Sequence, residues 1–156
     1  MAGDSNEIRI ATAEDAAAIA LLLDRFNTEF DAETPGVEAL RVNAGRLLEA
    51  GEMTVLLAGG GSDGLSVLRL RGSVWTGRPE AYLQELYVVP EHRGRGIGRA
   101  LLEATMATAR EAGARAIDLA TGEGAAAARA LYESAGFTNF EASAGRPRMP
   151  FYEREL

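Results

Sequence analysis

The run Ala81 to Val89 is rich in aromatic and branched residues and stops at Pro90; Arg93-Gly94-Arg95-Gly96-Ile97-Gly98 follows, and then Ile97, Leu101 and Met106 recur at helical spacing until Gly113. A strand, a glycine loop and a helix in that order constrain the chain more than any other feature. The loop aims backbone N–H groups and the positive end of a helix dipole at one place. Glycine lets an anion approach the backbone closely, and Arg93, Arg95 and Arg99 add positive charge. The expected ligand carries phosphates. A dinucleotide fingerprint would need glycine at position 99, which is Arg, and a P-loop needs Lys, which the chain lacks entirely. A glycine turn that serves packing alone is the bland alternative.

The rest of the chain is acidic, with a formal net charge of −7. Residues 1–64 hold four Arg against twelve Asp and Glu, and residues 65–156 hold twelve Arg against eleven, so the positive charge gathers in the second half. Such a balance does not suit wrapping a nucleic acid, and none is expected as a partner. Cys is absent, which removes disulfides, thiolate zinc sites and a cysteine nucleophile. His92 is the one histidine, so neither a multi-histidine metal centre nor a hydrolytic triad is expected; its plain reading is a solvated loop residue. No apolar run approaches the roughly 20 residues of a membrane span, and the first residues lack a signal pattern. The expectation is a cytoplasmic protein with no membrane partner. At 156 residues and 47% apolar, one domain over 1–156 is expected, with residues 1–6 flexible.

Glu7 to Ala11 alternates as a strand, and Thr12 to Asp15 reads as a helix start. That helix runs through Ile19, Leu22, Leu23 and Phe26 to the polar stretch Asn27 to Glu33. Thr34-Pro35 opens a second helix, with Val37, Leu40, Ala44, Leu47 and Leu48 on its apolar face and Gly51 as its stop. Thr54 to Ala58 and Leu65 to Trp75 form a hairpin about Gly59 to Gly64, the return strand having one wet face with Arg69 and Arg71. Ala116 to Ala120 is a strand, Ala125 to Ala135 a helix closed by Gly136, and Phe137 to Phe140 and Pro150 to Leu156 are two short final strands. The fold class is α/β (α+β): a single mixed, mostly antiparallel, twisted sheet of about seven strands flanked by four helices, in the order β-α-α-β-β-β-α-β-α-β-β.

Leu86-Tyr87-Val88-Val89-Pro90-Glu91-His92-Arg93-Gly94-Arg95-Gly96-Ile97-Gly98 resembles the signature of the GNAT superfamily of acyl-CoA-dependent N-acetyltransferases, with Arg93, Gly96 and Gly98 in its defining places. Ala130-Leu131-Tyr132-Glu133-Ser134-Ala135-Gly136-Phe137 is similar to that family's Leu-Tyr-x-x-x-Gly-Phe helix end, and the element order is similar over residues 7 to 156. The resemblance implies acetyl-CoA as co-substrate, with no metal. Arg93, Gly94, Arg95, Gly96, Ile97, Gly98 and Arg99 would hold its pyrophosphate. Leu86, Tyr87 and Val88 would pair with its pantetheine arm, helped by a splayed strand end and a bulge near Glu85 to Tyr87.

The same resemblance makes Tyr132 the general acid for the departing thiolate, where spacing alone would also allow an ordinary partly buried tyrosine. Glu85 is the candidate base, against a solvated strand residue paired with Arg69 or Arg71; alternation sets Gln84, which stands where some relatives carry a carboxylate, on the opposite face. Many relatives carry Asn where this chain has Ala125, so that cofactor contact should be missing, and Arg129 is a weak substitute. In this family the first two helices wall the acceptor site. There Glu29, Asp31 and Glu33 lie beside Phe26 and Phe30, which points to a small cationic amine of polyamine or aminoglycoside type, unless the stretch is merely a solvated acidic loop. The alternatives are a protein N-terminal or lysine acetyltransferase and a non-catalytic acyl-CoA sensor. Homodimers occur among relatives; Trp75 is a contact candidate or a core residue.

Overall fold

The computed structural model describes residues 7–139 and 152–156. They fall into two compact units, one ending at Ala120 and the other beginning at Thr121.

In the first unit, strand β1 (Ile8–Ile10) leads through a 3-10 turn (Ala13–Asp15) into helix α1 (Ala16–Glu29) and helix α2 (Val37–Glu49). Strands β2 (Thr54–Ala58), β3 (Gly64–Gly72) and β4 (Pro79–Val88) follow, then helix α3 (Ile97–Glu111) and strand β5 (Ile117–Leu119). The sheet runs β1-β2-β3-β4-β5, antiparallel except for the parallel pairing of β4 with β5 across α3. A parallel neighbour needs a crossover, and α3 supplies it.

The sheet is covered on both faces. Ile19 and Leu22 of α1 and Ala44 of α2 pack on Val55, Leu57, Leu65, Val67, Tyr87 and Val89. Ile97 and Leu101 of α3 pack on Leu56 and Ala58, and Ala109 packs with Leu68 and Ala81. This two-sided cover corrects the expectation of a wet face on β3: Gly64 to Leu68 are all buried, and only the far end beyond Arg69 is exposed. Ser66, the polar residue in that run, is satisfied beneath α3 by Thr105, Oγ to Oγ1 at 2.7 Å.

Other boundaries moved. Pro35 precedes α2 instead of opening it; Gly36, at φ 92°, sets the entry and the helix begins at Val37. β3 stops at Gly72, so Trp75 lies in the connection to β4 with 91% of its surface exposed, and the core alternative for it is wrong. Five strands and four helices stand among the described residues. Of the expected final strands, residues 137–139 and 152–156 are irregular, and residues 140–151, like residues 1–6, lie outside the described set.

In the second unit, helix α4 (Ala126–Ser134) ends on Gly136 at φ 91°, where the Phe137 N–H bonds the Tyr132 carbonyl at 3.0 Å. Only glycine adopts that conformation at little cost, so the chain can turn back and set Phe137 against Tyr132, ring centres 5.8 Å apart.

Candidate active site

β4 carries one residue too many for its partner. Val67 faces Glu85 but Leu68 faces Leu83, so Gln84 is the bulge. Up to Leu83 the odd residues are buried, Ala81 beneath α3 and Leu83 opposite Leu68 of the same cluster; beyond the bulge the even residues Leu86 and Val88 pack under α3, and Tyr87 and Val89 turn to the α1 and α2 side. The expected bulge is present at Gln84, just before the span named for it. It also overturns the alternation argument, because Gln84 and Glu85 line the same pocket.

That pocket, about 220 Å³, lies between α1, α2, β3 and β4. Leu23, Leu40, Leu47 and Val67 supply apolar wall, while Asn27, Asn43, Arg69, Gln84 and Glu85 supply polar groups. Burial pushes the Glu85 carboxyl above the ordinary carboxylate range. It pairs with neither Arg69 nor Arg71, and Arg71 instead meets Glu80 at 3.4 Å.

On its other edge, β4 pairs with β5 only from Ala81 to Leu83. From Gln84 to Val88 that edge has no strand beside it among the described residues, which leaves extended backbone open to an added strand. The side chains of Leu86, Tyr87 and Val88 are taken up by the core, so any pairing there belongs to their backbone.

The open edge runs into the glycine loop. Gly94 and Gly96 sit at φ 76° and 82°, and a Cβ at either would meet nothing within 4 Å, so the space over the loop is free for a ligand. The first intrahelical bond of α3 runs from the Ala100 N–H to the Gly96 carbonyl, which turns the preceding amides outward at the positive end of a 15-residue helix. Ile97 is 1% exposed and contributes to this end only through its backbone. Arg95 is exposed, its Nη1 3.5 Å from His92 Nδ1, and Arg99 lies 3.9 Å from Glu103. This donor set fits a phosphate-bearing group.

Arg93 points elsewhere. Its Nε donates to the Val88 carbonyl at 3.0 Å, its Nη2 to Glu29 Oε2 at 2.6 Å, and its guanidinium lies over the Tyr87 ring. Glu29 also accepts from the Tyr87 hydroxyl at 3.0 Å, so its carboxylate is committed to tying α1 to β4 and the loop. Burial, followed by that bond, raises the Tyr87 phenol above its usual value. Phe26 packs edge-on to Phe30 and against Tyr87. Asp31 and Glu33 are exposed, and none of Phe26, Glu29, Phe30, Asp31 or Glu33 lines the pocket at Glu85.

Gly60-Gly61-Ser62-Asp63-Gly64 spells the Gly-x-Ser-x-Gly of a nucleophile elbow, yet it joins two strands, and the Ser62 hydroxyl donates to Asp63 at 2.7 Å instead of to an imidazole. It is a turn. In the second unit Tyr132 is half-buried, and Arg129 donates to the Glu123 carbonyl at 3.3 Å. Among the described residues no cluster of three or more His, Asp or Glu could hold a metal, and no helix is long and apolar enough to cross a membrane.

Of the pocket's lining residues sequence reasoning assigned only Glu85 to the site; the polar residues it missed are Asn27, Asn43, Arg69 and Gln84. Only Gln84 left a signal, the change of apolar parity within β4, and Tyr87 and Val89 mask it because both sheet faces are buried.

The acetyltransferase (GNAT) family model matches residues 39–137. The chain is 33% identical over 144 residues to the aminoglycoside N(6')-acetyltransferase type 1 of Stenotrophomonas maltophilia, covering 90% of this chain and 92% of that protein. A crystal structure from Arthrobacter sp. FB24, described as an acetyltransferase, shares 43% identity and a TM-score of 0.85 over 96% of both chains. An aminoglycoside N-acetyltransferase solved with coenzyme A superposes at a TM-score of 0.76 over 96% of this chain and 95% of that one; at 18% identity this is a likeness of fold. The bulged, half-open strand leading into a glycine loop thus has the company its sequence announced: the chain belongs to the GNAT family of N-acetyltransferases, acyltransferases that use acetyl-CoA.

Proposed function

We propose that the protein transfers an acetyl group from acetyl-CoA to the primary amine of a small molecule bound in the pocket at Glu85. The observation that carries this reading is the junction of three features on β4: the bulge at Gln84, the open edge from Gln84 to Val88, and the glycine-led N-terminus of α3.

Acetyl-CoA supplies the acetyl group as a thioester that an amine can attack. The backbone of Leu86 to Val88 is the proposed partner for its amide arm. Gly94, Arg95, Gly96, Ile97, Gly98 and Arg99 are the proposed phosphate donors, with Arg93 acting through its backbone because its side chain is spent on Glu29 and Val88. An amine is protonated near neutral pH and must lose a proton before it attacks. Glu85 takes that proton on its carboxylate; the raised affinity of that group for protons, caused by burial, suits it to the task. The hydroxyl of Tyr132 gives a proton to the leaving sulfur, an assignment supported by the Leu131-Tyr132 and Gly136-Phe137 pattern. An acceptor of aminoglycoside type is the second reading, favoured by the relative from Stenotrophomonas maltophilia.

Two measurements test the scheme. Calorimetry should give one-to-one binding of acetyl-CoA that weakens in Arg95→Ala; no binding at millimolar ligand overturns the reading. Thiol release, clean because the protein has no Cys, should fall about a hundredfold in Tyr132→Phe and in Glu85→Gln with acetyl-CoA affinity kept. In the parent, kcat/KM should drop as pH falls through the raised Glu85 pKa, and Glu85→Gln should lack that limb.

A further inference from the structure

The pocket at Glu85 contains one carboxyl and one guanidinium, Arg69, and they do not pair with each other. The bulge is the reason. Val67 faces Glu85, so a regular ladder would set Arg69 opposite residue 83; the extra Gln84 moves its partner to Tyr82, one residue farther from Glu85. Among the described residues neither side chain makes a hydrogen bond or ion pair with any other group, although Arg71, two residues along the same strand, does find Glu80. Two opposite charges held apart over one apolar-walled pocket call for a ligand that carries both complements. The carboxylates expected to attract a polycation are elsewhere: Glu29 is engaged by Arg93 and Tyr87, and Asp31 and Glu33 stand outside the pocket. The volume, about 220 Å³, is below the range of drug-sized sites, which favours a small acceptor.

We propose that the acceptor is a small amine that also bears a carboxylate, an amino-acid-type molecule, whose amine is received by Glu85 and whose carboxylate is bound by Arg69. This rests on the transferase reading above and names the substrate class of that same site. Asn43 and Gln84 offer further amide groups at the pocket wall, and the apolar residues take the carbon skeleton.

Matched pairs that differ only by the carboxylate test it: ornithine against putrescine, lysine against cadaverine, tyrosine against tyramine. Thiol release should favour the carboxylate-bearing member. Arg69→Gln should raise its KM about ten- to a hundredfold, should not raise the KM of the decarboxylated member, which is relieved of a like charge in its pocket, and should leave the affinity for acetyl-CoA unchanged. Preference for the decarboxylated members, or a KM indifferent to Arg69→Gln, overturns the inference and leaves the transferase intact. If no amine is turned over, the transferase reading falls, and calorimetry of the same pairs against the protein with coenzyme A decides the pocket separately: Arg69-dependent binding of the carboxylate-bearing members upholds it, and equal binding or none overturns it.

Discussion

Replacing Arg93 with alanine tests whether the arginine that opens the glycine loop is a ligand or a brace. The guanidinium joins three partners: Glu29 at 2.6 Å, the Val88 carbonyl at 3.0 Å and the Tyr87 ring at 5.7 Å from its centre. The ion pair is half in solvent, with side-chain exposures of 45% and 25%, so it is worth about 0.5–1 kcal/mol after screening. The bond to the carbonyl adds about 1 kcal/mol and the ring contact about 0.5 kcal/mol. Arg93→Ala should therefore cost about 2 kcal/mol in urea unfolding and lower the Tm by about 4–8 °C. In a cycle with Glu29→Gln the two substitutions should couple by about 0.5–1 kcal/mol, because they share one contact. Arg95→Ala, whose side chain is exposed, should leave stability unchanged. Destabilisation by Arg93→Ala of less than about 0.5 kcal/mol, or no coupling to Glu29, refutes the brace.

Acid should expose a second device. Asp15 accepts both Arg9 Nη atoms at 2.7 and 2.8 Å and the Thr12 N–H at 2.8 Å; chiefly through the Arg9 bonds its carboxyl is held at about 2, against 3.8 normally. The folded state thus binds this proton less readily than the unfolded chain, so the stability is present above pH 4 and fades as pH falls from about 4 to 2. With Arg9 44% exposed the loss should be about 1 kcal/mol, and Asp15→Asn should remove it from the pH profile; an unchanged profile rejects the assignment. Gly64→Ala should destabilise by about 2 kcal/mol, because its Cβ would lie 2.5 Å from the Tyr87 carbonyl oxygen and 3.2 Å from Val88 Cα, neither of which can yield without parting β3 from β4. A variant as stable to urea as the parent would show that the strands do give.

The parts of this fold that could be read from sequence are those held by local spacing. Ile19 and Leu22 declare α1, Ile97 and Leu101 declare the buried stripe of α3, and Gly136 closes α4, all through contacts within a few residues; farther along α3 it is Thr105, and not the expected Met106, that is buried. β3 departs from its alternating pattern because alternation assumes one wet face, whereas α3 and the α1–α2 pair cover both. The glycine loop was legible in position and charge but not in the use of Arg93, since its partner Glu29 is 64 residues away. The acceptor pocket was legible least. Its residues come from α1, α2, β3, β4 and the connection before β2, and no local pattern brings Asn43 and Arg69 to the same wall.

Gln84 works as a parity bit for everything downstream of it on β4. Deleting this one exposed residue would restore an even ladder and send Tyr87 and Val89 to α3, while Leu86 and Val88 would face α1 and α2. Tyr87 would leave Glu29 and Phe26 together, and Glu85 would leave the pocket. Most single-residue deletions at an exposed position shorten a loop. Here the cost would be an exchange of two cores, so the length of this strand is under tighter constraint than the identity of the residue that sets it.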